Sequence, residues 1–485
     1  MHPRESLARP RRGGCPLSSR QGSRPNPRHL SRRAFLAGTA CTPLLGVLTA
    51  CSGSSADDRP PVAEPDGVVR TRWGSDPFAR GAFSFLPIGA TTTDRLALAA
   101  SIDRSIFFAG EATSTTHSGT VRGAVESGRR AVSEMLAAGA IASSRIVIIG
   151  AGAAGLAAAA ELRSAGLASV VFEARDRIGG RVHTDRSLGA PVDLGASLVY
   201  DPTSGNPLVT LARQAGVTLD DVDDSIVVRD QRSHRRYDAA EIDTRLTAAL
   251  ERVGAGSRAD AELAGALRTE AAASGLRDPE LTYAVASRID GIAGAAATEW
   301  AWRGYDEALR SHGGGVGAMT TQALPRGGFG ALLAPLADGI DIRLGQVVSR
   351  LEWSRARPRV VTTSGEAPFD MVLVTLPVGV LQADSVVFDP PLPASTSAAI
   401  RRLGMGLVDH LALRFPRPFW DSSPTWLGFI GTTPGEWTTW RNLGPSTQQP
   451  IIVGRNAALV ARAFDARSDA QVVASAMSAL RLLRR

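Results

Sequence analysis

Two short apolar runs dominate the pattern of hydrophobic and polar positions in the first half of the chain. They read Arg-Ile-Val-Ile-Ile from Arg145 and Ser-Val-Val-Phe from Ser169. Runs of β-branched residues without polar alternation are typical of parallel strands that are covered on both faces. The alanine-rich stretch between them, which ends near Ala165, predicts a helix. We therefore expect a strand–helix–strand unit here.

A similar unit precedes it in the chain. Residues from about Ser105 to Ala109 predict a strand, and residues from about Thr120 to Ala138 predict a helix. With the strand at Arg145 they complete a second unit, and a right-handed crossover would set its two parallel strands side by side. A further strand is expected over Met371 to Thr375.

The stretch between Tyr200 and Leu324 has a different pattern. Its apolar residues recur at the three- and four-residue spacing of a helix, as in Leu246, Ala249, Leu250 and Val253 and in Leu263 and Leu267. This spacing predicts a helical region in the middle of the chain.

A glycine-rich turn follows the strand at Arg145 directly. It contains Gly150, Gly152, Ala154 and Gly155, and Glu173 lies 18 residues beyond the last glycine, at the end of the next strand. Such glycines allow a tight turn, a close approach of pyrophosphate and close helix packing, while the acid suits a ribose hydroxyl. Strand, glycines, helix, strand and acid in this order predict a dinucleotide site.

The residues that follow resemble the FAD fingerprint of the flavin-containing amine oxidases. They run Glu-Ala-Arg-Asp-Arg-Ile-Gly-Gly-Arg-Val from Glu173, and Asp-Leu-Gly-Ala-Ser-Leu follows from Asp193. The resemblance implies FAD as cofactor, with Glu173 on the adenosine ribose. It further implies cofactor contacts from the residues that match this part of the family pattern: Arg175, Gly180, Arg181, Ala196 and Ser197.

Later segments extend the resemblance. Pro325 to Gly330 matches a glycine-rich turn of the family, and Gly406 to Trp420 matches a strand of its substrate domain. Val348 falls where family members contact the adenine through their backbone. These segments stand in the family's usual order.

The segments that usually close a family member stand at the front of this chain instead. Trp73 to Phe85 resembles the tryptophan segment, and Ile106 to Glu111 with Ser118 to Gly128 resembles the last FAD strand and helix. The resemblance implies cofactor contacts from Trp73, Gly110, Glu111, Thr120 and Val121. We interpret the order as a circular permutation; the alternative is an accidental fusion at a gene boundary.

The resemblance implies an α/β fold, in which a Rossmann-like FAD-binding domain of the glutathione-reductase type is interleaved with an α+β substrate domain. The expected segments are a signal over 1–51, a tether over 52–65, a permuted substrate-domain segment over 66–100, the first part of the FAD-binding domain over 101–200, a helical substrate domain over 201–325, the second part of the FAD-binding domain over 326–381, and the rest of the substrate domain over 382–485.

Three residues are candidates for the catalytic site. Phe83 and Thr120 match two positions that often flank the substrate before the flavin, and His410 stands where the family usually has a lysine that holds a water at flavin N5. An imidazole could hold that water and titrate near neutral pH. Alternatively, Phe83 is a core aromatic and His410 a packed residue of a slower site.

The implied reaction oxidises a small-molecule amine, a polyamine or a related primary or secondary amine. A hydride passes to flavin N5, the imine hydrolyses, and oxygen reoxidises the flavin to give hydrogen peroxide. The segment from Gly195 to Leu208 is closest to the polyamine oxidases, and the arginine that holds the carboxylate in amino-acid oxidases is missing between Ala196 and Pro202. The alternatives are a non-amine substrate, as in desaturases and protoporphyrinogen oxidase, or a silent FAD-binding lipoprotein.

Charge modifies the picture in one respect. All 54 basic residues are arginine, so no lysine can act in catalysis. Residues 1–50 hold nine arginines and one glutamate, whereas residues 51–485 carry a net charge of −1. The excess positive charge therefore belongs to the leader, and nucleic-acid binding is not expected. We also expect no metal site.

The leader carries two export signals. Ser31 to Leu36 fits the twin-arginine pattern, and the uncharged run from Ala34 to Ala50 is too short and too polar for a membrane span. Leu48 to Cys51 resembles a lipoprotein processing box, which would leave an acylated Cys51 as membrane anchor. The protein is then expected on the outer face of the cytoplasmic membrane, or secreted if an ordinary signal peptide is cut nearby.

Overall fold

The computed structural model describes residues 62–222, 226–256, 260–316, 321–354 and 357–483. The first strands within these ranges are β1 Gly67–Arg70, β2 Phe83–Phe85, β3 Ile106–Phe108, β4 Ile146–Ile149, β5 Ser169–Phe172, β6 Thr184–Asp185, β7 Val192–Asp193, β8 Val199–Tyr200, β9 Leu219–Asp221, β10 Ile226–Asp230, β11 Arg236–Asp238 and β12 Gln322–Pro325. The later strands are β13 Asp341–Arg343, β14 Val348–Glu352, β15 Arg359–Thr362, β16 Gly365–Pro368, β17 Met371–Val374, β18 Val387–Asp389, β19 Gly404–Gly406, β20 Val408–Arg414, β21 Trp426–Ile430, β22 Thr439–Asn442 and β23 Ile451–Ala457.

The α-helices lie between these strands and after them in the sequence, and α5 to α9 follow one another without an intervening strand. They are α1 Thr92–Ala99, α2 Val121–Ala137, α3 Ala153–Ser164, α4 Pro207–Gln214, α5 Ala239–Ala255, α6 Leu263–Ala273, α7 Glu280–Ala284, α8 Asp290–Ala293, α9 Trp302–Ser311, α10 Ala334–Ala337, α11 Val378–Gln382, α12 Ala394–Arg402, α13 Gly444–Thr447, α14 Ala458–Asp465 and α15 Asp469–Leu480. Of the helices in the described ranges, none is both long and apolar enough to cross a membrane.

A five-stranded parallel sheet forms one layer of the fold, in the order β13-β5-β4-β17-β3. The predicted strands at Arg145, Ser169, Met371 and Ser105 are all part of it. Ile146 and Ile148 pack into the core cluster that contains α2 and α3, whereas Val147 and Ile149 pack into the cluster on the opposite face. Because both faces are covered, every side chain of β4 is buried, and this explains the uninterrupted apolar run.

The predicted adjacency of the strands at Ser105 and Arg145 is wrong. β17 lies between them, and its Leu373 is the register partner of both Phe107 on β3 and Ile148 on β4. A parallel crossover fixes handedness but does not prevent a third strand from entering between the two it connects. The front segment, defined here as residues 62–140, nevertheless shares one sheet with the strand that leads into the glycine turn.

The helix of the front segment packs directly on the helix that follows the glycine turn. A Cβ at Gly128 on α2 would lie 2.3 Å from the carbonyl oxygen of Ala154 on α3, so only glycine permits this approach. On the strand side, the Ser127 hydroxyl accepts a hydrogen bond from the Gly110 amide at 2.8 Å. α2 is thereby fixed against both β3 and α3.

A seven-stranded mixed sheet forms the second layer, in the order β1-β20-β23-β22-β21-β10-β11. The region over 201–325 is helical in α5 to α9, as predicted from its periodicity, but β10 and β11 join this sheet and β9 pairs with β12. The run Ile226 to Val228 is β-branched and bounded by polar residues, which favours a strand over a helix. The region predicted to be helical thus contains the expected helices and, in addition, strands that the sequence did not indicate.

The described residues near both ends of the chain lie together. β1 pairs with β20 at the edge of the seven-stranded sheet. Arg70 on β1 forms an ion pair with Asp469 of α15 at 2.8 Å, and Arg481 forms one with Glu64 at 2.9 Å. The twin-arginine pattern, the Cys51 box and most of the tether lie outside the described residues.

Candidate functional site

A cavity of about 650 Å³ lies where the carboxyl ends of the parallel strands meet the seven-stranded sheet. It is lined by residues that follow β3, β4, β5 and β17 and by side chains of β20, β22 and β23. The predicted site residues that line it are Trp73, Phe83, Gly110, Glu111, Thr120, Val121, Gly150, Gly152, Ala154, Glu173, Arg175, Gly180, Arg181, Ala196, Ser197, Val348 and His410. Gly155 lies behind the lining. The fold thus brings segments from distant parts of the sequence to one cavity.

The glycine turn leaves room for a ligand at the start of α3. Gly150 has a φ of +109°, which favours glycine. A Cβ at Gly152 would meet no atom within 4 Å and would project into open space, whereas a Cβ at Gly155 would lie 1.9 Å from the Gly150 carbonyl oxygen. Gly150 thus permits the bend, Gly152 leaves space for a ligand in the cavity, and Gly155 permits close packing. The amino end of α3 in addition attracts anions. These features fit the pyrophosphate of a dinucleotide.

Glu173 lies at the end of β5 and is buried. Its carboxylate accepts hydrogen bonds from the backbone amides of Ala151 at 2.8 Å and Arg175 at 2.9 Å. The side chain therefore joins the glycine turn to the loop after β5 and lines the cavity between them. A carboxylate in this position also fits the ribose of a dinucleotide.

The Arg175 guanidinium pairs with a residue of the front segment. It donates two hydrogen bonds to the Asp76 carboxylate, at 2.8 and 2.9 Å, and lies over the Phe78 ring at 5.4 Å. Paired, bidentate geometry is the strong form of this interaction. The arginine expected along the cofactor thus also binds the segment from Trp73 to Phe85 to the fingerprint loop.

Glu111 is the centre of a buried network beside the cavity. One carboxylate oxygen accepts from the Ser84 amide at 3.1 Å and from Arg181 at 2.9 Å, and the other accepts from the Ser84 hydroxyl at 2.6 Å and the Gly119 amide at 2.9 Å. Burial favours the neutral acid, but Arg181, the Ser84 hydroxyl and Arg95 outweigh it and lower the pKa of Glu111 below its usual value. The carboxylate is charged and fully engaged by protein donors.

The segment after β7 runs along the cavity beside Trp73. The Trp73 indole donates to the Leu194 carbonyl oxygen at 3.2 Å, and its backbone amide donates to Asp409 at 2.9 Å. A Cβ at Gly195 would lie 1.8 Å from the Arg181 carbonyl oxygen, so glycine is required there. This close approach places Ala196 and Ser197 on the cavity wall.

Phe83 and Thr120 lie close together on that wall. The Phe83 ring comes within 3.6 Å of the position that a Cβ of Gly119 would take. The Thr120 hydroxyl caps α2, since it accepts from the Gly123 amide at 3.0 Å and donates to the His117 carbonyl oxygen at 2.7 Å. The Thr120 hydroxyl thus bonds to residues within three positions in the sequence, and the Thr120 side chain forms part of the cavity wall.

His410 projects from β20 into the cavity. Its Nδ1 is buried without a hydrogen-bond partner among the described residues. Burial, together with the charges of Arg455 and Arg441, lowers the pKa of His410 to about 4, although an interaction with the Leu194 backbone acts in the opposite direction. The ring is consequently neutral at physiological pH, and the expected titration near neutrality does not apply to this environment.

Sequence reasoning missed four side chains that line the cavity near His410. They are Tyr200, His312, Arg441 and Arg455. The Tyr200 and His312 rings meet edge to face at 4.5 Å. Arg441 on β22 and Arg455 on β23 each stand between two buried residues. A charged residue at such a position of a buried strand is a signal that could have identified them. That both arginines face the cavity depends on strand pairings that the sequence did not reveal.

Comparison with known proteins agrees with the geometry. The sequence model of the family described as "Flavin containing amine oxidoreductase" matches residues 50–136 and 153–485. The chain is 33% identical to "Probable polyamine oxidase 4" of Arabidopsis thaliana over 356 residues, which are 67% of this chain and 68% of that protein. It is 29% identical to "Lysine-specific histone demethylase 2" of Homo sapiens over 367 residues, 70% of this chain and 43% of that protein.

A solved structure shares the fold. It is described as wild-type putrescine oxidase bound to putrescine, and it matches with a TM-score of 0.57 and 20% identity over 70% of this chain and 82% of that one. The family match covers the front segment and the site residues from Ala153 onward, but not residues 137–152, which contain Gly150 and Gly152. The chain therefore belongs to the flavin-containing amine oxidoreductase family, and it is an FAD-dependent amine oxidoreductase.

Proposed function

We propose that the protein oxidises a small primary or secondary amine at the cavity, with oxygen as electron acceptor. When bound, FAD supplies a hydride acceptor at N5 and passes two electrons to oxygen, which gives hydrogen peroxide. Water hydrolyses the imine product, so that one amine, one oxygen and one water are consumed for each peroxide. The relatives that are polyamine oxidases support an amine substrate.

We infer that the parallel sheet is a Rossmann-like FAD-binding domain of the glutathione-reductase type. Gly152 and the amino end of α3 would hold the pyrophosphate, Glu173 the adenosine ribose, and the backbone at Val348 the adenine. Arg181 and Glu111 would hold Trp73, Ala196 and Ser197 in place at the other end. The open space at Gly152 supports this assignment, since any larger residue would fill it.

His410, Phe83 and Thr120 would form the substrate end of the site. A neutral His410 with an unpaired Nδ1 can hold a water by a hydrogen bond. Phe83 offers a π-face to the substrate, and Thr120 restricts the width of the cavity. Together they would orient the amine and restrict bulk water.

The segment order is proposed to be a circular permutation. In its support, Glu64 and Arg70 contact Arg481 and Asp469, so the ends of the described chain meet at a surface. The front segment supplies one strand, one helix and one buried carboxylate to the site, and it packs there through Gly128. Termini that lie together at the surface are the condition under which permutation is tolerated.

Export is also part of the proposal. The twin-arginine pattern at Arg32 and Arg33 suits an enzyme that must bind its cofactor in the cytoplasm before transport. An acylated Cys51 would then tether it to the outer face of the membrane. Labelling with a radioactive fatty acid, compared between the wild type and Cys51→Ala, tests this anchor.

The single observation that carries the proposed function is that residues from three separate segments line one cavity, whose wall includes both the glycine turn and His410. The test is peroxide production by purified yellow protein over a panel of amines. Peroxide with at least one amine, abolished when FAD is removed and restored when it is added back, is expected. A protein that binds FAD and gives no peroxide would indicate a non-amine substrate or a silent site.

A further inference from the structure

Three neighbouring strands present one polar face to the substrate end of the cavity. In the register of β20, β23 and β22, His410 pairs with Arg455, and Arg455 pairs with Thr439. Arg441, two residues after Thr439, pairs with Val453, which lies two residues before Arg455. All five side chains line the cavity, since residues two apart on a strand share a face. Two guanidinium groups therefore flank the site near His410.

Neither guanidinium has a carboxylate within ion-pair distance among the described residues. Arg455 donates to the Ser287 carbonyl oxygen at 3.1 Å. The Arg441 guanidinium lies over the Trp426 ring at 5.8 Å, and its Nε is buried without a partner. Burial lowers the pKa of Arg441 to about 10 and also lowers that of Arg455.

Asp193 is the acid whose charge acts on Arg441, but within the described ranges the two side chains do not form an ion pair. The Asp193 carboxylate accepts from the Thr184 hydroxyl at 2.5 Å and from the Phe329 amide at 2.9 Å. No contact between Asp193 and Arg441 lies within ion-pair distance in the described part of the chain.

Several acids of the cavity wall, in contrast, have arginine partners. Glu111 pairs with Arg181, Asp201 with Arg122 and Asp220 with Arg326. Where the face formed by β20, β22 and β23 lines the cavity, the charged side chains are thus two arginines that have no carboxylate in ion-pair contact within the described residues. A buried, unpaired cation is costly in free energy unless a ligand supplies the counter-charge.

We propose that Arg441 and Arg455 bind a carboxylate of the substrate, so that the amine oxidised here is an amino acid rather than a polyamine. This inference rests on the proposed function. Since His410 and Arg455 are direct register partners, a substrate carbon held before His410 would have its carboxylate beside the guanidinium groups. A polyamine would instead bring further positive charge to the same place, which Coulomb repulsion opposes.

The test uses pairs of amines that differ only in the carboxylate. Peroxide production is compared for ornithine and putrescine, lysine and cadaverine, and phenylalanine and phenethylamine. In at least one pair, we expect kcat/KM to be roughly 10- to 100-fold higher for the amino acid, which is the range of charge-assisted hydrogen bonds. Higher values for the plain amines in every pair would overturn the carboxylate site but leave the amine oxidase intact.

A failure of the oxidation itself is distinguished by a binding measurement. 3-Phenylpropanoate has the carboxylate but no amine, and its binding is followed by the change in flavin absorbance and by the thermal midpoint. Saturable binding that Arg441→Gln and Arg455→Gln weaken by roughly tenfold supports the site even without peroxide. Binding that neither variant weakens would overturn it.

Variants separate binding from stability. Arg441→Gln and Arg455→Gln should raise KM for the amino acid by roughly 10- to 100-fold, whereas KM for its plain amine should stay the same or fall, because each variant removes a repelling charge. Arg303→Gln, which removes an exposed arginine paired with Asp260, is the matched control and should change neither value.

Arg441→Met should keep or raise the thermal midpoint of the free enzyme, because it removes an unpaired buried charge. Equal losses for both members of each pair, with a lower midpoint, would show a structural role and contradict the proposal.

Discussion

Single residues of the front segment connect parts of the site that are far apart in the sequence. Glu111 accepts hydrogen bonds from Ser84, Gly119 and Arg181, and so holds three chain segments beside the cavity. Its charge is necessary for this, since Glu111 is buried and its ion pair with the partly buried Arg181 is costly to break. The carboxylate thus acts mainly on the shape of the site.

Replacing Glu111 with glutamine should keep the side-chain shape but remove the ion pair with Arg181. We expect a loss of about 3 kcal/mol in the free energy of unfolding, measured by denaturant titration. The folded-state pKa of Glu111 is lowered, so this contribution is present above the unfolded value of 4.5 and is lost as pH falls through the folded pKa. The difference between the wild type and Glu111→Gln should therefore narrow below about pH 4.5; a constant difference would contradict the ionised state.

His410 provides a second test at this scale. The folded-state pKa of His410 is about 4, so the ring stays neutral from pH 6 to 8. We expect His410→Asn to remain yellow and to change kcat by the same factor across that range. A step in the wild-type kcat profile near pH 6.5 that is absent from His410→Asn would show that the ring titrates, and would contradict this environment.

The glycine turn separates two roles within one motif. Gly152 has a φ of −76°, which any residue can adopt, and its Cβ would enter the cavity. Gly152→Val should therefore fold, with the apoprotein stability within about 0.5 kcal/mol of wild type, but should bind FAD more weakly by at least tenfold. Gly155→Val is the matched variant, and its clash with Gly150 should prevent folding. Equal FAD affinity in Gly152→Val and wild type, measured by fluorescence titration, would remove the turn from the cofactor site.

At the scale of elements, the sequence predicted what is local and missed what depends on pairing. The strands at Arg145 and Met371 were recognisable because burial on both faces requires uninterrupted apolar residues. The order of the strands in the sheet was not recognisable, since β17 pairs with β4 although it lies more than 200 residues later in the sequence. The face that carries Arg441 and Arg455 was missed for the same reason: its significance follows from the pairing of β20, β22 and β23.

At the scale of the whole molecule, the front segment contributes strands to both large sheets. β1 completes the seven-stranded sheet, β3 the five-stranded sheet, and α2 covers α3. The motifs predicted from the sequence therefore meet in one cavity, which is the arrangement that the proposed circular permutation requires. Local motifs determine the site here, and the order of segments only has to be compatible with short connections.

Restoring the family's order tests the permutation. A variant that starts near Ser144, and joins Leu483 to Val62 through a short glycine–serine linker, should fold and bind FAD. Because Arg481 already contacts Glu64, the new connection is short, and kcat should remain within a few-fold of the wild type. A parallel variant that simply deletes residues 62–140 should lose FAD. If the deletion keeps FAD while the rearranged chain loses it, the front segment is not part of the site.

The most direct test of the central claim is an anaerobic reduction experiment. Purified yellow protein is mixed with each amine or amino acid in the absence of oxygen, and the flavin absorbance is followed. We predict that at least one compound bleaches the flavin, and that air restores the colour with release of one peroxide for each flavin. If the flavin remains oxidised with every compound, the cavity does not oxidise amines and the account is contradicted.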